Sequence, residues 1–273
     1  MNKQILLIND LPGYGNVALS AMLPVLSHMG CHVCTLPTAL VSNTLDYGKF
    51  RILETTDYMK DTLAVWKELG FSFDAIATGF VVSAQQAALA AAFCKERAAE
   101  GTKIFVDPIM GDEGHLYNGV TEETAGHLRE LTAVADYVVP NYTEAAYLTG
   151  TPYQAEGMTR AEAEELVGKL REIGAKSVII TSALVDGGHA VVGYDHLRQE
   201  SFLLPFEEIP VRFPGTGDLF SAVLMGKVLS GESLVESTQK AMAVVRTMIE
   251  ENRDALDKYR GLPIGSSLGL LDG

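Results

Sequence analysis

The amino-acid sequence predicts an α/β fold, with one doubly wound, mostly parallel sheet and helices on both of its faces. Short, continuous apolar runs such as residues 5–8 and 103–106 are typical of parallel strands that are buried on both sides. Helical segments alternate with these strands at short spacing, which is the pattern of a doubly wound sheet. No linker, repeat or low-complexity tract interrupts the pattern, so we expect a single domain over residues 1–273.

The predicted elements follow one another regularly along the chain. Strands are predicted at residues 5–8, 32–36, 74–78, 103–106, 137–139, 177–180, about 190–194 and 201–204, the last two as an antiparallel hairpin. The first predicted helix ends near residue 29. Further helices are predicted at about residues 56–69, 83–99, 142–149, 160–173, 218–229 and 233–251. Two of these helices begin with a capping box, Ser83-x-x-Gln86 and Thr159-x-x-Glu162. Residues 41–50 are expected to form an irregular loop.

Composition and charge exclude several classes of function. The net charge of −14 argues against a nucleic acid or an anionic membrane as partner. No apolar stretch is long enough to span a bilayer, and residues 1–4 lead directly into a strand rather than into a signal peptide. Three cysteines, Cys31, Cys34 and Cys94, indicate a reducing cytoplasm, and the C-x-x-C pair is expected to be small and buried.

The stretch from Phe213 to Gly231 carries the clearest chemical signal. Glycines surround Thr216 and precede an apolar segment that we expect to form a largely buried helix, which Gly231 ends. Bare N–H groups at such a helix N-terminus bind anions, and phosphate suits them. Asp218 would lie beside that anion, where it could take a proton from an attacking hydroxyl. The alternative is a plain loop whose acidic residue is favoured by the helix dipole.

Polar residues also accumulate where the predicted strands end, which is where doubly wound sheets bind ligands. They are Asn9-Asp10, Gly79-Phe80, Asp107, Asn141 and Thr181-Ser182. Asp107, Asp112 and Glu144 could serve Mg²⁺ directly or through water. Alternatively, Asp112 belongs to a solvated acidic turn, and Asn141 with Glu144 forms a capping box. The capping and site roles of Glu144 are compatible if its helix begins at the site.

With these motifs in place, the chain resembles the pyridoxal/pyridoxamine kinase branch of the ribokinase superfamily. The resemblance covers nearly the whole length in the right order. Gly-Thr-Gly-Asp marks the superfamily alone, whereas the Asp-Pro-x-Met-Gly-Asp run and the Ser-Asn…Tyr-Gly loop narrow it to the vitamin B6 kinases. The matching residues are Ile8-Asn9-Asp10, Tyr14-Gly15, Ser42-Asn43 with Tyr47-Gly48-Lys49-Phe50, Gly79-Phe80, Asp107 to Asp112, Pro140-Asn141 with Glu144, Thr181-Ser182 and Gly215 to Asp218.

The resemblance implies a ribokinase-like fold and transfer of the γ-phosphoryl of ATP to the 5′-hydroxymethyl of pyridoxal, pyridoxamine or pyridoxine. Asp218 would be the general base, and Gly215, Thr216 and Gly217 with it would form the anion hole. It further implies that Mg²⁺, a monovalent cation such as K⁺ and the ATP phosphates are surrounded by Asp107, Asp112, Asn141 and Glu144. Thr181 and Ser182 would approach the nucleotide, and residues 111–119 would close over the site. The resemblance also implies that the protein is a homodimer.

The chain departs from the family around the substrate ring. Many members have Ser where Asp10 stands, His-Thr where Thr44-Leu45 stands, and often Tyr where Phe80 stands. With Tyr14, these residues are the expected substrate contacts. A carboxylate at residue 10 can form a charge-assisted bond to a cationic group, so we expect pyridoxamine or a related amine to be preferred over pyridoxal.

Two other interpretations remain open at this point. A hydroxymethylpyrimidine kinase of thiamine synthesis would share the fold and the base chemistry, but that family often carries Cys where Asp218 stands. From another class, the chain could be a non-catalytic vitamer-binding or regulatory protein on a kinase fold. The intact Asp218 with its glycines argues against that interpretation.

Overall fold

A computed structural model describes residues 3–117 and 120–272 of the chain. The chain divides into two compact units. The first unit comprises the residues up to Ala75 and those from Ile209 onward, and the second is Ile76–Glu208. The single domain expected over residues 1–273 stays a prediction. Within the described part, no helix combines the length and the apolar character that crossing a membrane requires.

Among its described residues, the first unit holds three strands and four α-helices. Its strands are β1 (Gln4–Pro12), β2 (His32–Val41) and β3 (Ile52–Glu54), and its helices are α1 (Ala18–His28), α2 (Thr56–Glu68), α7 (Thr216–Leu229) and α8 (Leu234–Asn252). β1 and β2 are parallel, with Ile8 opposite Leu36, whereas β2 and β3 are antiparallel. A shift of register after Asn9 interrupts the pairing of β1 with β2, so that β1 continues past its buried run.

Helix α7 forms the core of the first unit. Every residue from Leu219 to Gly226 is buried, as expected for a helix that is apolar around its circumference. Gly226 lets α1 approach closely, since a Cβ at this position would lie 2.5 Å from the Met29 sulfur. The helix ends before Gly231, which has a φ of +98°, so the predicted C-terminal stop is confirmed.

The second unit holds the remaining strands and helices. The strands are β4 (Ala75–Thr78), β5 (Lys103–Val106), β6 (Gly111–Asp112), β7 (His115–Leu116), β8 (Tyr137–Val138), β9 (Ser177–Val185), β10 (Gly188–Asp195) and β11 (Glu200–Pro205), and the helices are α3 (Ala84–Ala99), α4 (Glu122–Thr132), α5 (Tyr142–Thr149) and α6 (Arg160–Ile173). β5, β8 and β9 are parallel neighbours, and β9, β10 and β11 are antiparallel. The predicted hairpin is therefore confirmed.

Several elements differ from the sequence expectation. Helix α4 and the short strands β3, β6 and β7 were not predicted, β1 and β2 are longer than predicted, and β9 continues five residues past Ile180. The Ser83 hydroxyl caps α3 by accepting from the Gln86 N–H at 3.3 Å, as predicted. The Gln86 side chain also accepts the N–H of Val82 at 3.0 Å.

Candidate active site

The Asp218 carboxylate is held by two donors at the start of α7. Its Oδ2 accepts the N–H of Ala18 at 2.8 Å, and its Oδ1 accepts the Asn9 amide at 3.3 Å. Burial raises the pKa of Asp218, whereas the two bonds lower it. The carboxylate therefore has a fixed orientation and a pKa nearer to the range that suits a base.

The glycines before Asp218 shape the first turn of α7. Gly215 has a φ of +82°, and a Cβ there would lie 2.6 Å from the Asn16 carbonyl oxygen, so a larger residue does not fit. A Cβ on Gly217 would meet no atom within 4 Å among the described residues. The first N–H groups of a helix have no partner within the helix. The open side of Gly217 therefore gives an anion access to this turn.

Asn9 is a site residue whose role the sequence did not indicate. It is 2% exposed at the end of the apolar run of β1. Its amide donates to Asp218 and contacts the Met22 sulfur at 3.7 Å, and its carbonyl oxygen accepts the N–H of Asp10 at 3.0 Å. A polar residue that interrupts a buried strand was the signal that could have identified it.

Asp10 follows Asn9 in the chain, and the charge of Asp218 affects its pKa. Burial and, as the second cause, the charge of Asp218 together raise the pKa of Asp10 to about 7, although a backbone hydrogen bond lowers it in part. Two carboxyl groups near each other do not both ionise readily. With a pKa of about 7, Asp10 is protonated in part of the molecules near neutral pH.

The other predicted ring contacts are Tyr14, Thr44, Leu45 and Phe80. Tyr14 is 47% exposed, and its ring lies 6.0 Å from that of Tyr47. Leu45 begins a short 3-10 turn and is exposed, whereas Thr44 is buried and its hydroxyl donates to the Tyr259 carbonyl oxygen at 2.6 Å. Phe80 belongs to the second unit, where it follows β4 and is half-buried.

In the second unit, Glu144 is buried at the start of α5 and completes the predicted capping box. Its Oε2 accepts the N–H of Asn141 at 2.8 Å, and the Asn141 side chain accepts the N–H of Glu144 at 2.9 Å. The Oε1 atom accepts the N–H of Met110 at 3.1 Å. Glu144 thus joins the helix to the loop that follows β5, which the capping role alone would not require.

The charges of Asp107 and Asp112 act on Glu144, and we call these three residues the acidic cluster. Burial raises the pKa of Glu144, and the charges of Asp107 and Asp112 raise it further. Across the described ranges, no three His, Cys, Asp or Glu side chains are arranged to hold a metal ion by themselves. Oxygen donors suit Mg²⁺, which commonly takes only one or two carboxylates and completes its shell with water and phosphate. The donor set therefore fits the predicted ion.

The segment from Gly111 to Leu116 folds back on itself beside α5. β6 and β7 pair there, and the N–H of Gly114 donates to the Thr143 hydroxyl at 2.9 Å. The Asn141 amide donates to the Gly111 carbonyl oxygen at 2.8 Å. The predicted closing loop runs on to residue 119, and its residues 118 and 119 lie outside the described residues.

Thr181 lies beside Asn141, as the prediction of a shared nucleotide site requires. The two residues form an isolated parallel bridge, and the Thr181 N–H donates to the Pro140 carbonyl oxygen at 2.9 Å. Ser182 is exposed and has a φ of +54°, which is uncommon for a residue other than glycine. Such a conformation is found preferentially at functional sites.

Comparison with known proteins places this chain in a family. A sequence profile for the family described as phosphomethylpyrimidine kinase matches residues 18–262. The pyridoxal kinase PdxY of Rubrobacter xylanophilus is 30% identical over 258 residues, which cover 90% of this chain and 87% of that protein.

Solved structures confirm the predicted ribokinase-like fold. A Bacteroides thetaiotaomicron protein, provisionally assigned as a phosphomethylpyrimidine kinase and crystallised with pyridoxal, is 35% identical with a TM-score of 0.93, over 99% of this chain and 96% of that one. The pyridoxal kinase of Lactobacillus plantarum is 27% identical with a TM-score of 0.87, over 98% and 96%. The chain therefore belongs to the phosphomethylpyrimidine kinase family, in the pyridoxal kinase branch of the ribokinase superfamily.

Proposed function

We propose that this enzyme transfers the γ-phosphoryl group of ATP to the 5′-hydroxymethyl group of a B6 vitamer, with Asp218 as the general base. The observation that carries the proposal is the Asp218 carboxylate, fixed by Asn9 and Ala18 at the first turn of α7. The names of its relatives, which are pyridoxal kinases, support the same acceptor class.

The proposed reaction exchanges one P–O bond for another, with ADP leaving, and moves one proton. The hydroxymethyl oxygen bonds to the γ-phosphorus, the bond from that phosphorus to the bridging oxygen of ADP breaks, and the hydroxyl proton passes to Asp218. The N–H groups of Gly215, Thr216 and Gly217 stabilise the negative charge on the transferring group. Asn9 and Ala18 keep the carboxylate oriented while it accepts the proton.

The second unit supplies the proposed nucleotide contacts. Asn141, Glu144, Thr181 and Ser182 are assigned to ATP, and the acidic cluster to Mg²⁺, with K⁺ as the expected monovalent ion. Bound Mg²⁺ neutralises phosphate charge. We also assign a cytoplasmic location and a homodimer to this protein, and the three cysteines, which form no disulfide, are compatible with that location.

The test compares Asp218→Asn with Asp57→Asn. Both aspartates lie in the first turn of a helix, but Asp57, in α2, has no proposed role in catalysis. ATP consumption is measured with pyridoxal, pyridoxamine, pyridoxine and hydroxymethylpyrimidine as acceptors. Loss of a general base lowers kcat by roughly 10²–10⁴-fold. We expect that loss in Asp218→Asn alone, with ATP binding retained.

Two results would contradict the proposal. If Asp218→Asn kept about half or more of the wild-type turnover, Asp218 would not be the base, since base loss costs orders of magnitude. If hydroxymethylpyrimidine were turned over and none of the vitamers were, the enzyme would be a pyrimidine kinase instead.

A further inference from the structure

Two segments that are distant in sequence meet beside the ring residues of the first unit. One is the loop of residues 42–50, which we call the aromatic loop. The other is the tail segment, residues 254–262, which follows α8. Neither is a regular helix or strand over most of its length, so their conformations depend on the contacts between them.

The side chains of the aromatic loop bind the tail segment directly. The Tyr47 hydroxyl donates to the Asp257 carboxylate at 2.6 Å, and the Thr44 hydroxyl donates to the Tyr259 carbonyl oxygen at 2.6 Å. The Tyr47 and Tyr259 rings meet edge to face, with their centroids 5.6 Å apart. The aromatic loop and the tail segment are therefore joined by two short hydrogen bonds and by the packing of two aromatic rings.

The tail segment also holds the chain just before α1. The N–H of Asn16 donates to the Arg260 carbonyl oxygen at 2.7 Å, and its side-chain amide donates to the Leu262 carbonyl oxygen at 2.8 Å. Gly261 has a φ of +82°, and a Cβ there would lie 2.9 Å from the Asn16 carbonyl oxygen. The tail backbone thus fits closely against Asn16, two residues before the N–H that holds Asp218.

Tyr14 connects these two contacts. Its ring lies against Tyr47 on one side, and the Arg260 guanidinium lies over it at 5.0 Å from the centroid. About half of the Tyr14 surface remains exposed. The tail segment therefore sets the position of an exposed aromatic ring that is one of the predicted acceptor contacts.

We propose that Tyr47 and Asp257 are positioning residues through which the tail segment sets the acceptor affinity of this kinase. They act by holding the aromatic loop and Tyr14 in place for the vitamer ring, and they touch none of the reacting atoms. This inference rests on the proposed function. It goes beyond it because nothing in the phosphoryl-transfer chemistry requires the C-terminal segment.

The test uses Tyr47→Phe, which removes one hydroxyl and keeps the ring, Asp257→Ala, and the double variant. Tyr58→Phe on α2 and Asp254→Ala, an exposed residue of the tail segment, are the matched controls. We expect KM for the vitamer to rise about fivefold in each single variant, as for the loss of one charge-assisted hydrogen bond. We expect kcat and KM for ATP to change by less than about twofold, because the base and the anion hole are untouched.

Non-additivity identifies the bond itself. The double variant is expected to resemble the single variants, since both remove the same interaction. An unchanged vitamer KM, an equal fall in kcat, or effects that multiply would each overturn the inference while leaving the proposed function intact. A wild-type protein that phosphorylates no vitamer would overturn the proposed function, and this inference with it.

Discussion

At the residue scale, Asp218, the proposed base, and Asp10 form an acidic pair in which each carboxyl group has different surroundings. Asn9 and Ala18 donate to Asp218, and both bonds favour its ionised form. The one backbone bond that Asp10 accepts is outweighed by burial and by the charge of Asp218, so its pKa rises to about 7. Asp218 is thus held by two donors, whereas Asp10 is a carboxyl group that is readily protonated near neutral pH.

Asp10 therefore offers a direct way to test substrate choice. A cationic amine near Asp10 would favour its ionised form and gain a charge-assisted bond, which a neutral aldehyde cannot provide. We expect wild type to have a higher kcat/KM for pyridoxamine than for pyridoxal, and Asp10→Ser to reduce that ratio about tenfold, the effect of roughly 1.4 kcal/mol. Steady-state kinetics with the three vitamers measures it.

The predicted preference for pyridoxamine, which we attribute to Asp10, would be disproved if pyridoxal were the best wild-type substrate. It would also be disproved if Asp10→Ser left the ranking of the three vitamers unchanged. Leu45→Ala serves as the control, because Leu45 is exposed in the same predicted ring set and carries no charge.

At the element scale, the sequence predicted those helices and strands that are specified by patterns of a few neighbouring residues. The capping boxes of α5 and α6 could be predicted because Asn141-x-x-Glu144 and Thr159-x-x-Glu162 are local sequence patterns. Both boxes form in the structure. Helix α4 was missed although Thr121 caps it, since only Ala125, Leu128 and Leu131 are apolar and buried along its length. The extension of β9 depends on pairing with β10, which no local pattern specifies.

The element-scale prediction concerns the start of α5. Glu144→Ala leaves the N–H groups of Met110 and Asn141 without their acceptor, and each buried N–H costs about 1–3 kcal/mol. Asp112→Ala removes a carboxylate of the acidic cluster without touching the cap. We expect both variants to raise the Mg²⁺ concentration at half-maximal activity about tenfold, and Glu144→Ala alone to unfold at lower urea.

Glu162→Ala is the matched control, since it removes an equivalent capping carboxylate from α6, which carries no assigned site residue. It is expected to affect stability and leave the Mg²⁺ requirement unchanged. If activity in Glu144→Ala and Asp112→Ala only followed the loss of folded protein, the acidic cluster would have no role in metal binding.

At the scale of the whole molecule, contacts between distant segments were the part that the sequence could not provide. Within the second unit, the neighbouring positions of Asn141 and Thr181 were identifiable because both lie where predicted parallel strands end. The contacts of the tail segment with Asn16 could not be predicted, because they use backbone carbonyl oxygens, which every residue type has. The roles of Asn9 and Tyr47 likewise depend on partners more than 200 residues away in sequence.

The buried acids give the molecule a stability that depends on pH. Burial raises the pKa of Asp10, Asp218 and Glu144 in the folded state. A raised pKa means that the folded state binds more protons than the unfolded state. The resulting stabilisation is fully present below the unfolded pKa near 3.8 and is lost as pH rises through the folded pKa, which is about 7 for Asp10.

Asp10→Asn tests this dependence because Asn has nearly the shape of a protonated Asp. Near pH 4 the variant and wild type should be about equally stable, and at pH 8 the variant should be more stable by about 2–4 kcal/mol, from a shift of about three pH units at 1.36 kcal/mol each. Urea unfolding at pH 4, 6 and 8 measures the difference, with Asp61→Asn on the exposed side of α2 as control. A difference that stays constant from pH 4 to 8, or that appears equally in Asp61→Asn, would show that the Asp10 carboxyl is not strained by burial in the folded protein.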